Sequence, residues 1–391
     1  MKTRRKFGLN KRMDNYRTNK DNIIKYLENG CKPYDMPLHF GVELEHFVVK
    51  KDTQEAVSYY GENGVEAILT KLLPYYEESA YSEGHLIALA REGIALSLEP
   101  AAQLEVSLSP QTDIGAIREI YGQFVDEITP ILESYSYEMV TYGYQPKSKV
   151  EDLELLPKPR YRFMDAYFAK IGPFGRQMMR GTASTQVSVD YYSEEDFSDK
   201  YGIAYALKDV LAHFCSNSPF YEGAGYCGFT LRDDIWSGTD KRRVDVAPFM
   251  IDGTLSFEDY AEFVLQTPVI VNKEGSQEFY DERTIGEIAK ERIFTKEELP
   301  HMLSMVFPMI RAKHFLEIRF ADSMPMERVL KYVLMIKGLF TDIAYTKTWL
   351  YSEEFTGADV LGRIEIMLKK VLPVLTKEEA EFVKKESYYG T

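Results

Sequence analysis

Two carboxylates, Glu43 and Glu45, stand two residues apart in the run FGVELEHFVV (40–49). In a strand that spacing puts both on one face, with Phe40, Val42, Leu44 and Val48 on the other. The same alternation recurs three times. In LSLEPAAQLEVSLS (96–109), Leu104, Val106 and Leu108 oppose Gln103, Glu105 and Ser107, with Glu99 just upstream. In TQVSVDYY (185–192), Val187 and Val189 oppose Gln186, Ser188 and Asp190, and in HFLEIRFAD (314–322), Leu316, Ile318 and Phe320 oppose Glu317 and Arg319. A strand face turned to water would alternate as well, but such faces mostly carry Thr, Lys, Ser and mixed charge. Carboxylates brought within ~4–6 Å repel, and one is driven to protonate unless a cation intervenes. Oxygen ligands without Cys or a His cluster favour Mg²⁺, or Mn²⁺, over zinc. A magnesium site that keeps waters commonly serves phosphates, and Arg319, one strand step beyond Glu317, is placed to meet one. The carboxylates expected to converge on such an ion are Glu43, Glu45, Glu99, Glu105 and Glu317.

A second cluster, NSPFYEGAGYCGFTLRDDIWSGTDKRR (217–243), combines helix-breaking glycines with Arg232, Trp236, Asp240, Arg242 and Arg243. A surface loop with solvated arginines has this composition too. In the functional reading an arginine forks a substrate carboxylate while Trp236 forms a wall. Common nucleotide signatures are missing: there is no G-x-x-x-x-G-K-[ST] loop, no G-x-G-x-x-G after a strand and no kinase catalytic-loop pattern. ATP, if bound, is therefore expected to be held through metal on the acidic face.

The elements that must position these groups are strands mixed with separate helices. Helical periodicity runs over 20–29, 113–134, 201–216, 326–341 and 358–372, and capping boxes are expected at Ser256/Asp259, Thr295/Glu298 and Thr376/Glu379. The pattern predicts an α+β chain with a mainly antiparallel sheet. With 391 residues, 45% hydrophobic and 28% charged, a large core is expected. The basic, polar residues 1–20 are expected to be a flexible segment, and 21–391 to form one domain. The formal charge of −14 argues against nucleic-acid and anionic-membrane partners. No apolar run reaches membrane-span length, and Cys31, Cys215 and Cys227 are too scattered for a disulfide scaffold or zinc site. A soluble, cytoplasmic protein, monomeric or homodimeric, is expected.

Taken in order, GVELE, SLEPAAQLEVSLSP, PRYRFMDAYF followed by MMRGTASTQVSVD, NSPF with LRDDIWSGTD, and FPMIRAKHFLEIRFAD span 41–322. Together they resemble the successive motifs of the glutamate–cysteine ligases, in their plant and proteobacterial branch. The resemblance implies a glutamine-synthetase-like fold, with helices packed outside a funnel-shaped antiparallel sheet whose inner face holds magnesium and ATP. It implies that ATP phosphorylates the side-chain carboxylate of glutamate and that the amine of cysteine attacks the acyl phosphate. The products would be γ-glutamylcysteine, ADP and phosphate, the first step of glutathione synthesis. Glu43, Glu45, Glu99, Glu105 and Glu317 match the family's metal-binding carboxylates, and Gln103 and Gln186 match amides beside them. Arg319, with Glu317, would meet the phosphoryl group; Arg232, Trp236 and Arg243 match the segment shaping the amino-acid pocket.

The chain departs from the family pattern at Ala101-Ala102, where Gly-Gly is usual. It departs again at Thr182-Ala183-Ser184, where Thr-Cys-Thr is usual, and at Ser188, where Asn is usual. These positions leave open a ligase joining glutamate to another amine, or a relative that binds without catalysis.

Overall fold

The run Phe40–Lys50 is rich in β-branched and aromatic residues and carries no proline, and it forms the 11-residue strand β1. Around it the chain supplies β2 (Glu78–Ser82), β3 (His85–Arg91), β4 (Ile94–Leu98), β5 (Leu104–Gln111), β6 (Tyr137–Val140), β7 (Ser184–Val189), β8 (Ile310–Ala312) and β9 (Leu316–Asp322). These make one nine-stranded sheet in the order β8-β9-β7-β1-β5-β4-β3-β2, with β6 added on the far half of β1. Every pairing is antiparallel. The computed structural model describes the backbone of residues 2–385 and the side chains of 11–385.

One of the four alternating runs is a hairpin rather than a single strand, and the run 314–322 is the second strand of another. The stretch 96–109 turns between β4 and β5, and 310–322 turns at Lys313–Phe315 between β8 and β9. Ala102 takes φ +66° in the first turn. This is the left-handed region where a Cβ costs roughly 1–2 kcal/mol, so glycine would relieve the turn that carries Glu99.

Val42, Leu44, Leu104, Val106, Val187, Leu316 and Ile318 are buried on the outer sheet face, under the helices. Helix Ile114–Ser134 packs on β5 and β6, helix Lys208–Phe214 on β9, and helix Met326–Thr341 on helix Ile114–Ser134. The 3.6-residue spacing of Ile117, Phe124, Ile128 and Leu132 puts all four on the buried stripe; each full burial contributes about 1.5–3 kcal/mol. His46 also points to this side, bonded to Leu104 O (3.1 Å) and Tyr121 Oη (2.9 Å), and burial lowers its pKa to about 4. It is a neutral core histidine.

The periodicity at 20–29 belongs to a longer helix, Lys2–Glu28. Asn19 is fully buried there, donating to Ala289 O and Arg292 O and accepting from Phe294 N–H. The capping boxes at Ser256 and Thr376 form, and a further one, Thr284/Glu287, starts helix Ile285–Glu291. At Thr295/Glu298 the reciprocal bonds are present, but the helix begins only at Glu298.

Candidate active site

Register assembles the polar face. Glu45 lies opposite Glu105, Glu43 opposite both Ser107 and Gln186, and Ser97 opposite Glu105. On the other flank Glu317 faces Ser188 on β7 and Arg311 on β8. Beyond Glu45 the face turns apolar: Phe47, Val49 and Ala183, with Val140, form a small separate cluster that ends the polar strip.

A cavity of ≈450 Å³ opens over this strip. Glu43, Glu45, Glu99, Gln103, Glu105, Gln186, Arg232, Trp236 and Arg319 line it, so nine of the eleven residues named from the sequence meet at one place. Glu317 lies just beneath the wall, fully buried. Its oxygens are held by Arg311 Nε (2.6 Å), Lys313 Nζ (2.6 Å) and Arg319 Nη1 (2.8 Å). Arg243 stands behind the wall. It donates to Asp240 (2.9 Å) and Met305 O (2.7 Å), and its guanidinium lies over the rings of Tyr167 and Phe307. Its part is to brace Phe307, whose amide also bonds Arg243 O (2.8 Å).

The carboxylates differ sharply in environment. Burial raises Glu43, Glu99 and Glu105, and in each case neighbouring carboxylates add to the effect: Glu317 for Glu43, Glu45 for Glu99, and Glu43, Glu99 and Glu45 for Glu105. Glu99 reaches about 7, and Glu105 lies well above its ordinary value. Burial works against Glu317 as well, but Arg311, Arg319 and Lys313 outweigh it and hold Glu317 well below the usual range. Glu45 is satisfied by protein donors: Ser184 N–H (2.7 Å), Ser184 Oγ (2.8 Å) and Gln186 Nε2 (3.1 Å). Gln186 then accepts from Arg319 (2.6 Å), linking the acidic wall to that guanidinium. Gln103 is spent on structure. It accepts from Ala101 N–H and donates to Arg180 O and Thr182 O, pinning the β4–β5 turn.

Among the described residues no three His, Cys, Asp or Glu side chains are close enough to form a ready metal cage. The donor chemistry nonetheless fits a hard divalent ion. Glu43 and Glu99 accept no hydrogen bond through their side chains among the described residues, and burial, with repulsion from Glu317 and Glu45 respectively, makes a cation favourable beside them. Glu317 fits less well as a ligand in this arrangement, because three cations already occupy both its oxygens.

A stability test of this wall follows. A carboxylate whose folded pKa is raised stabilises the fold below its unfolded pKa, and that contribution is lost as pH rises through the folded value. Glu99, Glu105 and Glu43 all act in this direction. Chelator-treated protein is therefore expected to melt higher near pH 5 than near pH 8. Glu105→Gln should raise Tm by a few degrees at pH 8, little at pH 5, and flatten the profile. A Glu105→Gln melt unchanged at pH 8 would show that the wall is not under repulsion.

The opposite side of the cavity is basic and aromatic. Arg232 is buried, with its Nε lacking a partner, and burial lowers its pKa to about 10. Its guanidinium stacks 5.0 Å from the ring centre of Trp236, whose Nε1 is also buried without a partner. Helix Leu231–Ser237 presents both. Lys158, Arg160, Tyr161, Arg311 and Lys313 also line the cavity and were not singled out by residue type. Lys158 donates to Leu98 O (2.9 Å) and Arg160 to Ser304 Oγ (3.0 Å). A signal for Arg311 and Lys313 existed: a tight hairpin in IRAKHFLE brings both alongside Glu317.

The sequence profile of Glutamate-cysteine ligase family 2 matches residues 39–360. Glutamate–cysteine ligase A, chloroplastic, from Oryza sativa subsp. indica is 28% identical over 365 residues, covering 91% of this chain and 72% of that protein. Glutamate–cysteine ligase, chloroplastic, from Arabidopsis thaliana is 29% identical over 335 residues, covering 83% and 63%. A crystal structure of a glutamate–cysteine ligase from Francisella tularensis in complex with AMP superposes with a TM-score of 0.52. It has 13% identity and covers 90% of this chain and 81% of that one, a likeness of fold.

Proposed function

This chain belongs to glutamate–cysteine ligase family 2, and from that premise we propose that it joins the side-chain carboxylate of glutamate to the amine of cysteine at the expense of ATP. The observation that carries the reading is the single cavity in which an acidic wall, Arg319, Arg232 and Trp236 meet. The AMP bound to the Francisella tularensis enzyme supports nucleotide use on this fold.

Glutamate is activated by transfer of the terminal phosphoryl group of ATP to its γ-carboxylate. The cysteine amine then attacks the acyl carbon and phosphate leaves. Arg232, which lines the cavity stacked on Trp236, would pair with the α-carboxylate of a bound amino acid. Arg319 reaches the cavity with its guanidinium fixed by Gln186 and Glu317, ready for charge that develops on the transferred group. Met164, Met178 and Met179 line the same cavity and offer a polarizable, apolar surface for a thiol. Glu43, Glu45, Glu99 and Glu105 would hold Mg²⁺, or Mn²⁺; bound there, it would neutralise the wall and the phosphates together. A cytoplasmic location remains part of this proposal. The plant relatives are chloroplastic, and among the described residues no helix is long and apolar enough to cross a membrane.

The test is ADP release with glutamate and a panel of amines. Cysteine is expected to be fastest and 2-aminobutyrate, with a methyl in place of the thiol, second, because a pocket that reads size separates such analogues by only ~1–3 kcal/mol. Serine should be poor, since its hydroxyl is more strongly hydrated. Aspartate should not replace glutamate, and turnover should need magnesium. A better amine than cysteine would keep the chemistry and change the named acceptor; no ADP release with any amine would sink the ligase reading.

A further inference from the structure

Among the carboxylates that line the main cavity, Glu45 is the most completely held, and a residue outside the lining does most of the holding. Ser184, the first residue of β7, is fully buried and, among the described residues, is not part of the cavity wall. It grips both carboxylate oxygens at once. Its backbone N–H donates to Oε2 (2.7 Å) and its Oγ to Oε1 (2.8 Å). Gln186, two residues along on the same strand face, adds a second donor to Oε1 (3.1 Å). The main chain of Glu45 is tied as well: Ser323, just after β9, donates its hydroxyl to Glu45 O (2.5 Å) and its N–H to Ala183 O (3.1 Å). Ala183 is packed in the small apolar cluster with Phe47 and Val49, so Ser184 follows a fixed backbone.

We propose that Ser184 is a positioning residue that holds Glu45 ready for the divalent cation of the acidic wall. The proposal rests on the reading of Glu45 as a ligand of that cation and adds the residue through which the ligand is set. A carboxylate offers about four lone-pair sites. The three protein donors take two on Oε1 and one on Oε2, so only Oε2 keeps a site for a cation. Glu99 and Glu105 both feel the negative charge of Glu45. A Glu45 side chain released from Ser184 would therefore turn away from them instead of converging with them on one ion. Ser184 opposes that drift before any cation arrives, and hydrogen-bond partners of ligating carboxylates typically contribute a factor of ~10–100 in metal affinity.

The experiment titrates Mn²⁺ into the full chain without substrates, followed by electron paramagnetic resonance, and measures the magnesium dependence of ADP release. Ser184→Ala removes the hydroxyl and keeps the backbone donor. It should weaken Mn²⁺ binding by ~10-fold or more and raise the magnesium needed for half-maximal turnover, with kcat recovered at saturating magnesium. Damage to the sheet would not be repaired by added metal. Ser184→Thr, which keeps the hydroxyl, should restore the parent affinity. In a Glu45→Gln background Ser184→Ala should weaken the remaining Mn²⁺ binding no further, because Ser184 acts through Glu45. If Ser184→Ala does not fold, Ser184→Cys, a weak donor, serves for the same comparison. Parent-like Mn²⁺ affinity in the folded variant overturns the proposal, as does a further loss in the Glu45→Gln background. Mn²⁺ binding that depends on Ser184 in a protein that turns over no ATP with any amine would overturn the ligase reading and leave the role of Ser184 standing.

Discussion

Glu317→Gln is expected to lower the unfolding free energy by about 3–5 kcal/mol in the absence of any metal and to abolish turnover. Glu317 is wholly buried and is the shared partner of Arg311, Lys313 and Arg319. Desolvating a carboxylate is costly, but here three close cations outweigh that cost and hold it ionised. An amide in its place keeps the shape and removes the charge, leaving two guanidinium groups and an ammonium to repel one another. The expectation differs in sign from Glu105→Gln, although both are glutamates on one sheet face. Removing charge at Glu105 relieves repulsion, and removing it at Glu317 creates repulsion. Urea denaturation of chelator-treated protein separates the cases. A Glu317→Gln variant as stable as its parent would mean that the three cations are neutralised elsewhere and that Glu317 serves mainly as a metal ligand.

The acidic face was legible because strand parity is a local property that survives errors in element boundaries. The run 96–109 reads as one strand and is a hairpin, yet Glu99, Gln103 and Glu105 still reach the inner side. In the observed register odd-numbered residues of β4 pair with odd-numbered residues of β5, so the alternation carries through the turn. The β8–β9 hairpin preserves parity in the same way, with Arg311 opposite Glu317. Long-range pairing was not legible. Arg243 reads as part of an amino-acid pocket because it sits beside Trp236 in sequence. Its partners Tyr167 and Met305 lie far off in the chain, and they hold it behind the wall. The anchoring of Asn19 to residues 289–294 escapes notice for the same reason. Gln103 shows a different limit. Its side chain is turned to the carbonyls of residues 180 and 182, and residue type alone cannot separate a ligand amide from one that ties down a turn.

Arg319→Lys is expected to reduce kcat by a factor of ~10²–10³, the size seen when a preorganised donor to developing charge is lost, while changing the KM for glutamate much less. The guanidinium is held by two acceptors at once, Gln186 Oε1 at 2.6 Å and Glu317 Oε2 at 2.8 Å, and its carbonyl accepts from Arg232. Those bonds use one nitrogen and leave the rest of the fork for the cavity. Lysine keeps the charge but has a single nitrogen, which cannot satisfy Gln186 and Glu317 and still reach a phosphoryl oxygen in fixed geometry. Because Lys313 and Arg311 remain on Glu317, the variant should fold with nearly the parent's stability, unlike Glu317→Gln. Loss of kcat and kcat/KM together marks an interaction made in the transition state. A raised glutamate KM with unchanged kcat would instead put Arg319 on the ground-state amino acid beside Arg232. The phosphoryl group would then be left to Lys313 and Arg311.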